Sequence, residues 1–101
     1  MIPKDVFVPD IFSPNDDGIN DLFFISSNQA SVSKILNLAV FDRWGGLVLE
    51  LHDFPTDDPA YGWDGTEKGK PVSPGVFVWL VEIEYTDGKT EVRSGDVTLI
   101  R

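Results

Sequence analysis

The stretch from Val76 to Tyr85 constrains the fold more than any other part of the chain. Phe77, Trp79, Val81, Ile83 and Tyr85 fall at every second position, and Glu82 and Glu84 lie between the later ones. Successive side chains of a β-strand point to opposite faces, so this alternation describes a strand with one side against a core. A helix would scatter the same residues around its circumference. No segment elsewhere sustains an apolar period near 3.6, which predicts little or no α-helix.

The remaining sequence carries the punctuation of an all-β protein. Nine Gly and seven Pro separate short runs of Val, Ile, Leu and Phe, the spacing expected of a sandwich. Val6 to Phe12 reads as a first strand, with Pro9 confining part of it to an edge or a bulge. Leu22 to Ser26 reads as a second strand, and the small polar residues from Asn28 to Ser33 as a loop. Ile35 to Trp44 is a long strand that turns at Gly45-Gly46 into Leu47 to His52. In that return strand Leu47, Leu49 and Leu51 are expected on one face and Val48, Glu50 and His52 on the other. The stretch from Asp53 to Lys70 is a long loop, which Tyr61 and Trp63 are expected to brace.

Asp87-Gly88 predicts a two-residue type I′ hairpin turn after Tyr85. Thr90 to Arg93 returns from it, Gly95 allows a bulge or kink, and Val97 to Arg101 closes the domain. About seven antiparallel strands follow from this reading, packed as two sheets in an immunoglobulin-like β-sandwich. The 101 residues suffice for a single domain, residues 1–101, with one core.

Composition removes several functions. Seventeen acidic residues against eight basic give a formal charge of −9, which repels phosphate backbones and anionic lipid surfaces. Nucleic acid is therefore excluded as a partner. No run approaches the roughly 18 apolar residues of a membrane-spanning helix, so direct membrane insertion is not expected. The absence of cysteine rules out disulfides, thiolate metal sites and a cysteine nucleophile. His52 is the single histidine and has no evident partner in sequence. No nucleophile elbow, phosphate-binding glycine loop or paired-histidine metal motif occurs. The chain reads as a non-enzyme.

Two constellations are candidates for binding. In Phe12-Ser13-Pro14-Asn15-Asp16-Asp17-Gly18-Ile19-Asn20-Asp21, oxygen-bearing side chains surround one glycine. Asn15, Asp16, Asp17, Asn20 and Asp21 resemble the ligand set of a calcium loop. Ser13 replaces the usual first Asp, and Phe24 stands where a helix–loop–helix site would place its glutamate. The same residues equally make a turn in which Asx side chains accept hydrogen bonds from backbone amides. No cofactor is required by the second reading, and calcium is the candidate under the first.

The other constellation is Tyr61-Gly62-Trp63-Asp64-Gly65-Thr66. Exposed Tyr61 and Trp63 beside Asp64 would form a platform for a sugar ring, the basis of an alternative as a calcium-dependent or carbohydrate-binding surface module. Small sandwiches use most aromatics inside, so insertion between the sheets is the competing expectation for Trp63, and equally for Trp44. Arg43 has an aromatic ring or a carboxylate as its expected partner.

Taken together, four blocks resemble the gliding-motility-associated carboxy-terminal domain, the type B sorting domain of the type IX secretion system. The first is Phe12 to Asp21, similar to a family opening F-[ST]-P-N-x-D-G-x-N-D. Phe41-Asp42-Arg43-Trp44-Gly45 is similar to its [YF]-[ND]-R-W-G. Trp63-Asp64-Gly65-Thr66, Gly69 and Pro74-Gly75-Val76-Phe77 resemble W-D-G-T…G…P-x-G-V-Y. Gly95-Asp96-Val97-Thr98-Leu99-Ile100-Arg101 resembles the terminal G-x-V-T-L-[IVL]-[RK]. Asp16, Asp42 and Phe77 depart from the residues usual at their positions.

The resemblance implies an address rather than a chemistry. The domain would end a larger exported protein, an adhesin or enzyme whose signal peptide heads the precursor, and would reach the cell surface or medium through the periplasm. It would be read, folded and as a monomer, by the type IX secretion apparatus through an outer-membrane protein of the PorP/SprF kind. Asn15, Asp17, Gly18, Asn20, Asp21 and Arg43 are then candidates for selective contacts. Val97, Thr98, Leu99, Ile100 and Arg101 are candidates for adding a strand to a partner's sheet.

Overall fold

The computed structural model describes residues 6–14, 21–27 and 31–100. Its strands are β1 (Val6–Phe7), β2 (Ile11–Phe12), β3 (Ser26–Ser27), β4 (Val32–Phe41) and β5 (Leu47–Phe54). After a 3₁₀ turn at Pro59–Tyr61 come β6 (Thr66–Glu67), β7 (Lys70–Pro71), β8 (Gly75–Tyr85) and β9 (Thr90–Leu99). No α-helix occurs among the described residues. The expected all-β sandwich is present, but its layers are unequal. One layer is a five-stranded sheet in the order β2-β9-β8-β4-β5; the other is built from short pieces, among them the β1-β3 and β6-β7 pairs.

Alternation in β8 works as the sequence implies. Phe77, Trp79, Val81 and Ile83 are buried and lie in register with Val40, Leu38 and Ile35 of β4 and with Val97 of β9. Phe12 and Phe54 of the same sheet, with Phe23 and Trp63 from outside it, complete the core. Fully burying each such side chain is worth roughly 1.5–3 kcal/mol relative to exposure.

The chain departs from the expected strand limits where backbone hydrogen bonds override pattern. Val6 to Phe12 is not one strand. Around Pro9, which has no N–H for a ladder, the chain leaves the β1-β3 pair and joins the large sheet as β2, parallel to the end of β9. The expected second strand is reduced to β3 and an isolated bridge between Phe23 and Trp63, closed by two hydrogen bonds of 2.9 and 2.8 Å. β4 begins earlier than read, at Val32, because register shifts near Ser33 and Leu36 break strict alternation. β9 is one unbroken strand through Gly95.

Both long hairpins use the same turn, and neither is type I′. The Tyr85 N–H donates to Lys89 O at 2.8 Å and the Gly88 N–H to Tyr85 O at 3.0 Å, with Gly88 at φ +88° and Asp87 outside the positive-φ residues. This is a three-residue loop with a left-handed third residue. Asp42 to Gly46 repeats it, with Gly45 at φ +84°. There the Asp42 carboxylate accepts the Trp44 and Gly46 N–H groups at 2.9 and 2.8 Å, which ends β4 at Phe41 rather than Trp44.

A true type I′ geometry lies inside the stretch read as a loop. Lys68 (φ +53°) and Gly69 (φ +81°) join β6 to β7, where Glu67 pairs with Lys70. Bracing by the two aromatics is as expected: Tyr61 stacks on Phe54 at 5.3 Å, and Trp63 packs on Phe12 and Phe77 at 5.2 and 5.1 Å.

Candidate functional site

The described candidates fall in separate parts of the molecule. Asn15, Asp16, Asp17, Gly18 and Asn20, which carry most of the calcium reading, lie outside the described residues, as does Arg101. Asp21 is described and half-buried; with Phe7, Ile11, Leu22, Phe24 and Pro59 it lines a cavity of about 510 Å³. Among the described residues no cluster of three or more His, Cys, Asp or Glu side chains is arranged to hold a metal.

Trp63 is 1% exposed, so it cannot stack a sugar. Its Nε1–H donates to the Thr66 carbonyl at 2.8 Å. Asp64 is spent on the local turn, where its carboxylate accepts the Thr66 hydroxyl at 2.6 Å. Of the two rings only that of Tyr61 reaches the surface, and it rests on Phe54. Insertion of Trp63 between the layers is the geometry found.

Trp44 is the opposite case. Placed in the core by analogy with Trp63, it is 84% exposed at the tip of the β4–β5 turn, because β4 ends before it and the chain has already left the sheet. The Arg43 guanidinium lies over its ring at 5.7 Å, a cation–π contact of the kind expected for this arginine. Arg43, Trp44 and Val76 share the wall of a cavity of about 160 Å³.

The end of β9 is not a free edge. Val97 and Leu99 are fully buried, and β8 covers one side of the strand. On the other side, Thr98 N–H donates to Asp10 O at 2.9 Å and Ile100 N–H to Phe12 O at 3.0 Å. Adding a partner strand at Val97–Ile100 would require β2 to leave. Only Ile100, and in part Thr98, offer surface there.

Two features escaped sequence reasoning. One is a polar cluster on β8 and β9. Tyr85 Oη–H donates to the Glu91 carboxylate, which also accepts from Arg93 at 3.2 Å; Arg93 reaches the Val6 carbonyl at 3.4 Å. The Tyr85 hydroxyl first, and then Arg93, hold the Glu91 carboxyl below the usual carboxylate range, while Glu91 raises the Arg93 guanidinium. Cross-strand partners depend on register, which spacing in the sequence does not fix.

The other feature is the outer face of the five-stranded sheet. Val76, Val78 and Leu80 are 49, 45 and 44% exposed, and Val92 on β9 is 62% exposed. Phe41 stands beside Val78 and Ala39 beside Leu80. Leu47 joins them opposite Phe41, because a bulge between Val40 and Phe41 turns it away from the core that Leu49 and Leu51 contact. The expected sharing of one face by Leu47, Leu49 and Leu51 fails for that reason. The signal was present in the sequence: from Val76 to Val81 both alternating sets of β8 are apolar, and only Glu82 restores a polar outer face.

Against known proteins, the family described as CHU_C type IX secretion signal domain matches residues 6–99. No curated protein matches the chain.

Proposed function

The chain belongs to the type IX secretion signal domain family, and from this we propose that it acts as a folded address that directs an attached protein across the outer membrane. A family match over nearly the whole described fold carries this reading. A secretion-signal role also implies that the protein it serves is secreted or held at the cell surface, as part of a larger precursor.

The fold is suited to being read as a shape. Its core is continuous from Phe12 to Leu99, and its hairpin tips and sheet faces are presented in fixed relation to one another. Type B resemblance supports an outer-membrane receptor of the PorP/SprF kind. The domain works as a monomer, and the part played by its Asn15–Asp21 segment requires no cofactor. Calcium that raises the melting temperature would instead assign a metal to that segment.

The test is a fusion. These residues are joined to a periplasm-targeted reporter in a host that has the secretion system, beside the same reporter carrying an unrelated β-sandwich. Surface display of the first alone is the expected result. Equal display of both would reduce the domain to a spacer.

A further inference from the structure

We propose that the outer face of the five-stranded sheet is the docking surface, and that its occupant is a protein segment presenting an apolar side chain flanked by lysine or arginine. The inference rests on the export reading, because the partner is taken to belong to the apparatus.

A sandwich sheet that faces water is normally polar on its outer side. Here the outer side of β8 is apolar along Val76, Val78 and Leu80; exposed Val92 continues it onto β9, and half-buried Phe41 and Ala39 continue it onto β4. Within this face lies a depression of about 290 Å³. Ala39 contributes only a methyl group to it, and Phe41, Leu80 and Val92 stand around it. Glu50 and Glu82 form its polar margin.

Charge selects the occupant. Glu82 accepts the Asn37 amide at 2.9 Å, and Glu50 approaches His52 at 3.6 Å. Asp96 lies opposite Val78 on the same face. Among the described residues none of these three carboxylates is paired with a lysine or arginine. Lys34, the nearest cation along β4, is held by Asp53 at 3.2 Å. A second copy laid on this face would oppose Glu50, Glu82 and Asp96 with the same carboxylates, and an anionic lipid surface would be repelled likewise. A cationic rim around an apolar plug meets both features of the depression. The nearby indole of Trp44, backed by Arg43, extends the surface with residue types enriched at binding hot spots.

The experiment uses the reporter fusion with three variants. Glu50→Lys/Glu82→Lys reverses the margin, Leu80→Thr/Val92→Thr removes the apolar walls with strand-compatible residues, and Asp87→Lys changes charge at a distant hairpin tip. Melting curves establish which variants keep the fold. Surface display is expected to fall about tenfold or more for both outer-face variants and to change less than about twofold for Asp87→Lys. If the unaltered domain is displayed and the outer-face variants are displayed equally, the docking surface is wrong while the export reading stands. If the unaltered domain is not displayed, both fall. Sedimentation showing a dimer that Glu50→Lys/Glu82→Lys dissociates would make the occupant a second copy and overturn the proposal. Should the threonine variant unfold, the lysine pair decides the matter alone.

Discussion

At the scale of single residues, position in the register decides what each aromatic does. Trp63 lies between Gly62 and Asp64, Trp44 between Arg43 and Gly45 with Asp42 just before, and these neighbours alone do not say which ring is buried. Yet one is sealed by Phe12 and Phe77 while the other projects from a turn. Gly95 shows the same dependence. It lies opposite Trp79, and a Cβ there would stand 2.6 Å from the indole Cζ2. The glycine makes room for a ring rather than a kink, a role invisible without the pairing of β8 and β9. Gly95→Ala is expected to destabilise the domain by about 1–3 kcal/mol through overpacking, measured by denaturant unfolding. A wild-type midpoint would mean the indole moves aside at no cost.

The Glu91 cluster gives a pH dependence whose sign follows from its partners. Tyr85 and Arg93 depress the folded carboxyl, so its contribution is complete above the unfolded value, roughly 4.3. It is lost as pH falls through the folded value. The carboxylate is largely exposed, so the effect is small, below about 1 kcal/mol. Glu91→Gln should melt slightly below the unaltered protein at pH 7, with the gap closing as the pH falls below the ordinary carboxylate range. A gap that widens in acid would contradict this assignment.

At the scale of elements, long strands were legible and short ones were not. β8 and most of β4 announce themselves because a strand with one buried face must alternate over many residues. The second layer is made of pieces as short as two residues, too brief for any periodicity, and their partners are distant in sequence. Turn type was misread for a related reason. Asp-Gly suggested a two-residue turn, but the hydrogen bonds around Gly88 make a three-residue loop. The Lys-Gly pair that does form a type I′ turn lacks the expected Asn or Asp. A lysine at φ +53° bears a conformational cost that glycine or asparagine largely avoids. Lys68→Asn should therefore stabilise the domain by up to about 1 kcal/mol, raising the melting temperature by about 4–8 °C at the upper end of that range. An unchanged or lower melting temperature would show that the turn is not strained.

The parallel seam between β2 and β9 also changes how the end of the chain must be interpreted. Because Val97 and Leu99 are core residues, cutting away Val97 to Arg101 removes part of an interior strand. Loss of export after such a cut would report unfolding, whatever surface the apparatus reads. Substitutions that leave the core intact are the informative ones, which is why the outer face is tested by side chains alone.

At the scale of the whole molecule, fold class and family were readable because three of the four sequence blocks put described residues into one core: Phe12, Trp63 with Phe77, and Val97 with Leu99. Phe12 and Trp63 meet in that core, and Gly95 admits the indole of Trp79. The binding surface was less readable, since an apolar outer face looks in sequence like a strand buried on both sides. The acidic balance of −9 belongs to this scale too, because it disfavours self-association and selects a cationic partner.

The central claim is that the address is a folded shape, not a set of motifs. It is tested most directly by displaying the reporter with Leu38→Asp, which places a charge in the core at a fully buried position while leaving every motif in the sequence intact. Loss of surface display together with loss of the cooperative melt is the predicted result. Display at the unaltered level from a domain shown to be unfolded would contradict the account.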